Sequence, residues 1–191
     1  MSLAAAEPAW TQSRIGSPDT AASAVVASAG RTSLDVARVY TASSTATPPG
    51  AVFPPNLRFD SGYRSILEQM FQASPTFRRQ CLRIANAPRL TITIRSGVPE
   101  GRSRARAWTR VDATAGGGLV ATVDIRPQVG QVELIAHEIE HVIEQLDGVD
   151  LPTRASLPNT GVEVFDDGIF ETARAKSVGL AVAREVEQSS R

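Results

Sequence analysis

Between residues 60 and 148 the apolar positions follow first one period and then another, and each change of period marks an element. In SGYRSILEQMFQAS the apolar positions 63, 66, 67, 70 and 71 keep the i, i+3, i+4, i+7 spacing of an amphipathic helix. Ser74 and Pro75 then supply an N-cap and a first helical residue, which predicts a second helix over about 75–86. The pattern switches to period two in RLTITIRSG, where Leu90, Ile92 and Ile94 share one face of a half-buried strand. A further strand is predicted at about 105–113. Another follows the glycine turn 116–118, covering 119–127 and ending at Pro127. Helical spacing returns at Val132, Ile135, Ile139, Val142, Ile143 and Leu146, and Gly148 is placed to stop that helix. A loop, VDLPTRASLPNTGVEVFDD, leads to a last helix expected from about residue 169.

The first 57 residues lack a sustained period. They are rich in Ala, Ser, Thr and Pro, with TASSTATPPG (41–50) and FPP (53–55) as breaks, so 1–57 reads as an irregular, partly disordered arm. TSLDVARVY (32–40) is a local exception that fits a short helix or strand. Residues 58–191 then form one folded domain. Two helices, a set of strands and two more helices predict an α+β fold, with a small, mostly antiparallel sheet packed with helices.

Composition changes this picture little. Hydrophobic residues make up 42% and charged residues 21% of the 191, as in ordinary globular domains. A formal net charge of zero argues against nucleic acid or an anionic membrane as the main partner, since a basic field recruits both. Lys176 is the only lysine, so the basic charge is almost entirely arginine, a usage that fits a GC-rich genome. GRSRARAWTR (101–110) gathers Arg102, Arg104, Arg106 and Arg110, but only Trp108 interleaves as a stacking residue, and a solvated strand edge accounts for the run. Cys81 is the sole cysteine and reads as a small buried helix residue. No apolar run reaches the roughly 18–20 residues of a membrane span. The start MSLAAAEPAW lacks a signal-peptide pattern, so a soluble protein is expected, cytoplasmic or exported if a native signal has been removed.

Candidate chemistry sits on the helix whose apolar positions run from Val132 to Leu146. AHEIEHVIEQLDG carries His137, Glu138 and His141 in the order His-Glu-x-x-His. Residues four apart on an α-helix lie one turn apart and about 40° round, so both imidazoles can reach one cation. Glu138 points aside, placed to hold the proton of a metal-bound water rather than to ligate. The apolar positions gather on the face opposite the histidines, so the helix can bury one side and present the imidazoles to a cleft. His137 and His141 are the only histidines, and they fall four apart. Glu140, charged between them, departs from the stricter form of the motif.

A protein-completed site then needs a carboxylate. Asp147 stands six residues past the second histidine, as in the metzincin pattern with Asp in the last place. That pattern requires Gly three residues after the second histidine and a downstream Met-turn. Here the position is Glu144, and the only methionines are Met1 and Met70. The competing choice is Glu171, near the start of the last helix and 30 positions beyond His141, with Glu163, Asp166 and Asp167 as further candidates.

HEIEH followed by FETARA resembles the gluzincin class of zinc metallopeptidases, in particular its compact minimal forms, over about residues 60–190. The resemblance implies a zincin-like fold with the HExxH motif on a central helix, and Zn2+ held by His137, His141 and Glu171. It also implies a hydrolase acting on a peptide or protein substrate with Glu138 as general base and later proton donor. Arg174 stands where the class often has an acidic residue. The strand at about 119–126 would be the substrate's neighbour, able to gain it as an added strand. Tyr63, Tyr40 and Arg174 are the chemically suitable oxyanion donors. Two other classes stay open: a zinc-binding but inactive regulatory or scaffold domain, and an arginine-rich binding module.

Overall fold

The computed structural model describes residues 12–15, 52–97, 106–127, 130–165 and 169–191. The elements in chain order are β1 (Gln12–Ile15), β2 (Leu57–Phe59), α1 (Arg64–Ala73), α2 (Pro75–Ala85), β3 (Leu90–Ser96) and β4 (Ala107–Ala113), then β5 (Leu119–Ile125), α3 (Gln131–Leu146), α4 (Leu151–Ala155), β6 (Val162–Phe165), β7 (Ile169–Thr172) and α5 (Ala173–Ser189). Residues 32–40, Arg102 and Arg104 lie outside the described residues.

Local chemistry sets most boundaries where the periodicity puts them. Ser74 caps α2 by accepting a hydrogen bond from the Phe77 amide at 2.9 Å, with Pro75 following. Such a cap contributes about 1 kcal/mol. At the far end of α3, Gly148 takes φ +72°. Its amide bonds Gln145 O at 3.0 Å and the Val149 amide bonds Glu144 O at 3.0 Å, the paired bonds of a Schellman stop. In the glycine turn, a Cβ on Gly118 would sit 2.6 Å from Arg89 O, so β5 can approach β3 only with glycine there.

An α+β arrangement results, with helices packed on a seven-stranded sheet in the order β2-β3-β5-β4-β1-β7-β6. The sheet is mixed rather than mostly antiparallel. β2–β3, β3–β5 and β1–β4 are parallel, while β4–β5, β1–β7 and β6–β7 are antiparallel. The reason is non-local: α1 and α2 cross over between β2 and β3, and β5 inserts between β3 and β4. Alternation along one strand carries no information about such partners. Strand β1 comes from the arm, and nothing in the arm's pattern marks it.

One buried cluster runs from Leu67, Met70, Phe77 and Ile84 through Ile92, Ile94 and Val123 to Leu134, Ile139 and Val182. Asn56 ties the turn before β3 with one amide group, donating to Ile84 O, Ala87 O and Leu90 O at 2.8–3.0 Å. Helix α3 is buried at every position from Leu134 to Glu144, so it is a core helix rather than a half-exposed amphipathic one. No helix among the described residues is long and apolar enough to cross a membrane.

Candidate metal centre

Helix α3 lies against α5 at a close crossing. A Cβ on Gly179 of α5 would fall 2.9 Å from Glu133 O and 3.0 Å from His137 Cβ, so the glycine sets the approach beneath the first histidine. Strand β7 ends at Thr172, whose hydroxyl accepts from the Ala175 amide at 3.0 Å and starts α5. The last helix therefore begins at Ala173, not at about 169. Residues 162–165 and 169–172 pair as antiparallel strands instead of continuing a loop and a helix. Glu171 consequently reaches the cluster from the end of a strand rather than from a helical first turn.

His137, His141 and Glu171, all buried, turn their ligand atoms toward one point. The Nε2 atoms of the two histidines are 3.2 Å apart, and Glu171 Oε1 lies 3.3 Å from His137 Nε2 and 3.6 Å from His141 Nε2. A tetrahedral ion with bonds of roughly 2.0–2.1 Å separates its ligand atoms by about 3.3–3.4 Å, so the triangle has the size such an ion needs. Glu171 Oε1 is fixed by the Thr172 amide at 2.8 Å. Glu171 Oε2 and Glu138 Oε1 are buried without a hydrogen-bond partner among the described residues. Unsatisfied buried carboxylate oxygens are costly, and a cation offsets that cost.

The surrounding charge fits the same use. Burial opposes ionisation of Glu171, but hydrogen bonds from His137 and His141 and their charges outweigh it and bring its pKa to about 2. Burial would depress His141, yet hydrogen bonds to Glu144 and Glu171 and the charges of Glu138 and Glu144 push it up to about 10. At neutral pH His141 thus holds a proton, beside the ionised Glu171, that a divalent cation would displace on binding. Burial raises Glu138 to about 7, against the lowering effect of His137, His141 and a hydrogen bond from Thr109. The Thr109 hydroxyl on β4 donates to Glu138 Oε2.

Three carboxylates of α3, Glu138, Glu140 and Glu144, need an account, because all are buried. Glu138 has Thr109. Glu144 accepts from His141 Nδ1 at 3.1 Å, which leaves Nε2 as that ring's ligand atom. Glu140 accepts from Gln80 Nε2 at 2.8 Å and from Arg174 Nε at 2.6 Å. The two residues that depart from stricter motifs, Glu140 and Glu144, are therefore both matched, Glu140 by two partners distant in sequence and Glu144 by one a turn away.

The other candidates lie elsewhere. Asp147 caps α3 and pairs with Arg83 and Arg174. Glu163 pairs with Lys176 at 3.1 Å, and Asp166 and Asp167 lie outside the described residues. Tyr63 donates its hydroxyl to Ile125 O at 3.0 Å, Arg174 is engaged by Glu140 and Asp147, and Tyr40 lies outside the described residues. Cys81 is buried in α2, its thiol pushed up to about 12 by burial. Arg110 pairs with Asp112 at 2.9 Å.

Two expectations are corrected. The imidazoles do not face an open cleft: His137 is 0% and His141 1% exposed, because α3 packs against α5, β4 and β5 and Glu171 of β7 lies over both rings' Nε2 atoms. Strand β5 cannot take up a substrate as an extra strand, since β3 and β4 pair with it along its whole length. The strand that touches the general-base candidate is β4, through Thr109. Sequence reading missed Thr109, Glu144 as a partner of His141, and Gly179. Only Gly179 carries a signal, a glycine within a helical pattern.

Comparison of the chain with protein-family models, with curated proteins and with solved structures finds no match in any of the three.

Proposed function

We propose that this chain is a zinc-dependent metallopeptidase of the gluzincin type, with His137, His141 and Glu171 as ligands and Glu138 as general base. The observation that carries the reading is the buried triangle of Nε2, Nε2 and Oε1 atoms with edges of 3.2, 3.3 and 3.6 Å. A bound zinc ion would supply Lewis acidity, polarising a scissile carbonyl and acidifying water. Glu138 would take a proton at Oε1, the oxygen without a partner, while Thr109 holds Oε2. After C–N cleavage the same oxygen returns the proton to the leaving amine. Glu144 would keep His141 oriented, and the Thr172 amide would keep Glu171 in place.

The enclosure of both imidazoles favours a second reading, a zinc-binding domain without hydrolytic activity. Structural zinc sites generally close with four protein ligands, however, and the described residues supply three. The open position and the unpartnered Glu138 oxygen support catalysis. Cleavage of unfolded casein decides between the two: activity in the wild type that Glu138→Gln abolishes with metal retained supports the peptidase, and a metal-loaded wild type without activity overturns it in favour of the inactive domain.

A further inference from the structure

Strands β4 and β7, which flank the cluster, are not neighbours in the sheet. β4 brings Thr109, the partner of Glu138, and β7 brings Glu171. Between them runs β1, from the N-terminal arm. Gln12–Ile15 pair in parallel with Trp108–Val111, and Ser13 pairs antiparallel with Phe170. The backbone of Ser13 is therefore flanked on one side by Thr109 and on the other by the residue preceding Glu171.

Among the described strands β1 is a weak joint. It offers four residues to β4 and one registered pair to β7, whereas β5 pairs over seven residues with each of its neighbours. Residues 16–56 connect β1 to β2, and the cost of opening and reclosing a connection of that length grows only slowly with its length. When β1 leaves, β4 and β7 face each other across a gap one strand wide, each with an unpaired main-chain edge. Such edges take any extended polypeptide through main-chain hydrogen bonds, largely without regard to its side chains.

We propose that β1 is an exchangeable occupant of a one-strand slot beside His137, His141 and Glu171, and that an extended segment of another polypeptide enters the slot only when residues 12–15 leave it. The seating of a strand stands on topology alone; that the incoming strand is a substrate rests on the metallopeptidase reading.

The test uses the full chain. Arg14→Cys combined with Arg110→Cys places cysteines at partnered positions of β1 and β4, outside the site residues. Cys81 is buried and competes poorly. The probe is a fluorescein-labelled peptide of residues 11–16, read by anisotropy, with casein hydrolysis and zinc content followed in parallel. The cysteines are expected to cross-link on oxidation, and the locked protein to lose peptide binding at least 10-fold, with recovery on reduction. Ser13→Pro removes a main-chain donor from a strand paired on both sides and is expected to bind the peptide at least 10-fold more tightly than wild type. Failure of the cysteines to cross-link, or peptide binding that is equal in locked, reduced and Ser13→Pro proteins, overturns the proposal. Gated peptide binding without zinc or casein hydrolysis supports the slot and removes the peptidase reading. Hydrolysis that is indifferent to the lock does the reverse.

Discussion

Glu144 Oε2 lies 3.1 Å from His141 Nδ1, both buried and one turn apart on α3. A carboxylate behind a ligating imidazole fixes its tautomer and raises its basicity, and removing it commonly weakens metal binding by about 10–100-fold. Glu144→Gln is therefore expected to lower zinc affinity by roughly that factor, measured by chelator competition. Unchanged affinity would show that Glu144 serves the packing of α3 and not the metal.

Thr109 provides a pH test. Burial raises the pKa of Glu138 to about 7, and the Thr109 hydrogen bond is among the effects that lower it. Thr109→Val removes that lowering, so the folded pKa rises further. A general base acts only when ionised, above its pKa, so the acid limb of kcat/KM moves to higher pH while zinc content stays at the wild-type level. A limb that stays in place would separate Thr109 from the base.

Gly179 sets two preferences against each other. Alanine is the better helix former by about 1 kcal/mol. Its Cβ, however, would meet Glu133 O at 2.9 Å and His137 Cβ at 3.0 Å, in a crossing with little room to yield. Overpacking of this kind costs about 1–3 kcal/mol, so Gly179→Ala is expected to lower Tm and Gly179→Leu to lower it further. A Tm raised by alanine would mean that the two helices are less closely packed.

Away from the site, Glu185 on α5 accepts hydrogen bonds from the Ser74 hydroxyl, the Thr76 amide at 3.1 Å and the Thr76 hydroxyl at 2.7 Å. Burial would raise its pKa, but these bonds outweigh it and hold the carboxyl below its ordinary value. A depressed folded pKa contributes stability that is present above the unfolded value, about 4.3, and is lost as pH falls through the folded value. Glu185→Gln is thus expected to cost about 1 kcal/mol at pH 7, after allowance for its partial exposure, and to cost less at pH 3. Equal losses in urea unfolding at both pH values would contradict this.

How legible these features are in the sequence follows from how local their causes are. α1, α2, β3, β5 and α3 show in the spacing because their apolar faces meet one core, and Ser74 and Gly148 mark ends through bonds made within a few residues. The strand at Ile169–Thr172 lies where the spacing predicts the first turn of the last helix, because four residues next to a long helix carry too little pattern to stand apart from it. The parallel pairings and the strand from the arm depend on partners tens of residues away. His137, Glu138 and His141 are visible as a motif. Glu171 is visible only as one of several carboxylates until β7 brings it to 3.3 Å from His137. Thr109 and the partners of Glu140 depend on tertiary contacts and have no signature at all.

The most direct test is metal analysis of the purified protein by mass spectrometry, on the wild type beside Glu171→Ala and Asp147→Ala. The triangle of His137, His141 and Glu171 predicts about one zinc ion per chain in the wild type and in Asp147→Ala, with loss of the ion in Glu171→Ala. A wild-type protein without stoichiometric metal, or a Glu171→Ala protein that keeps it, would contradict the site.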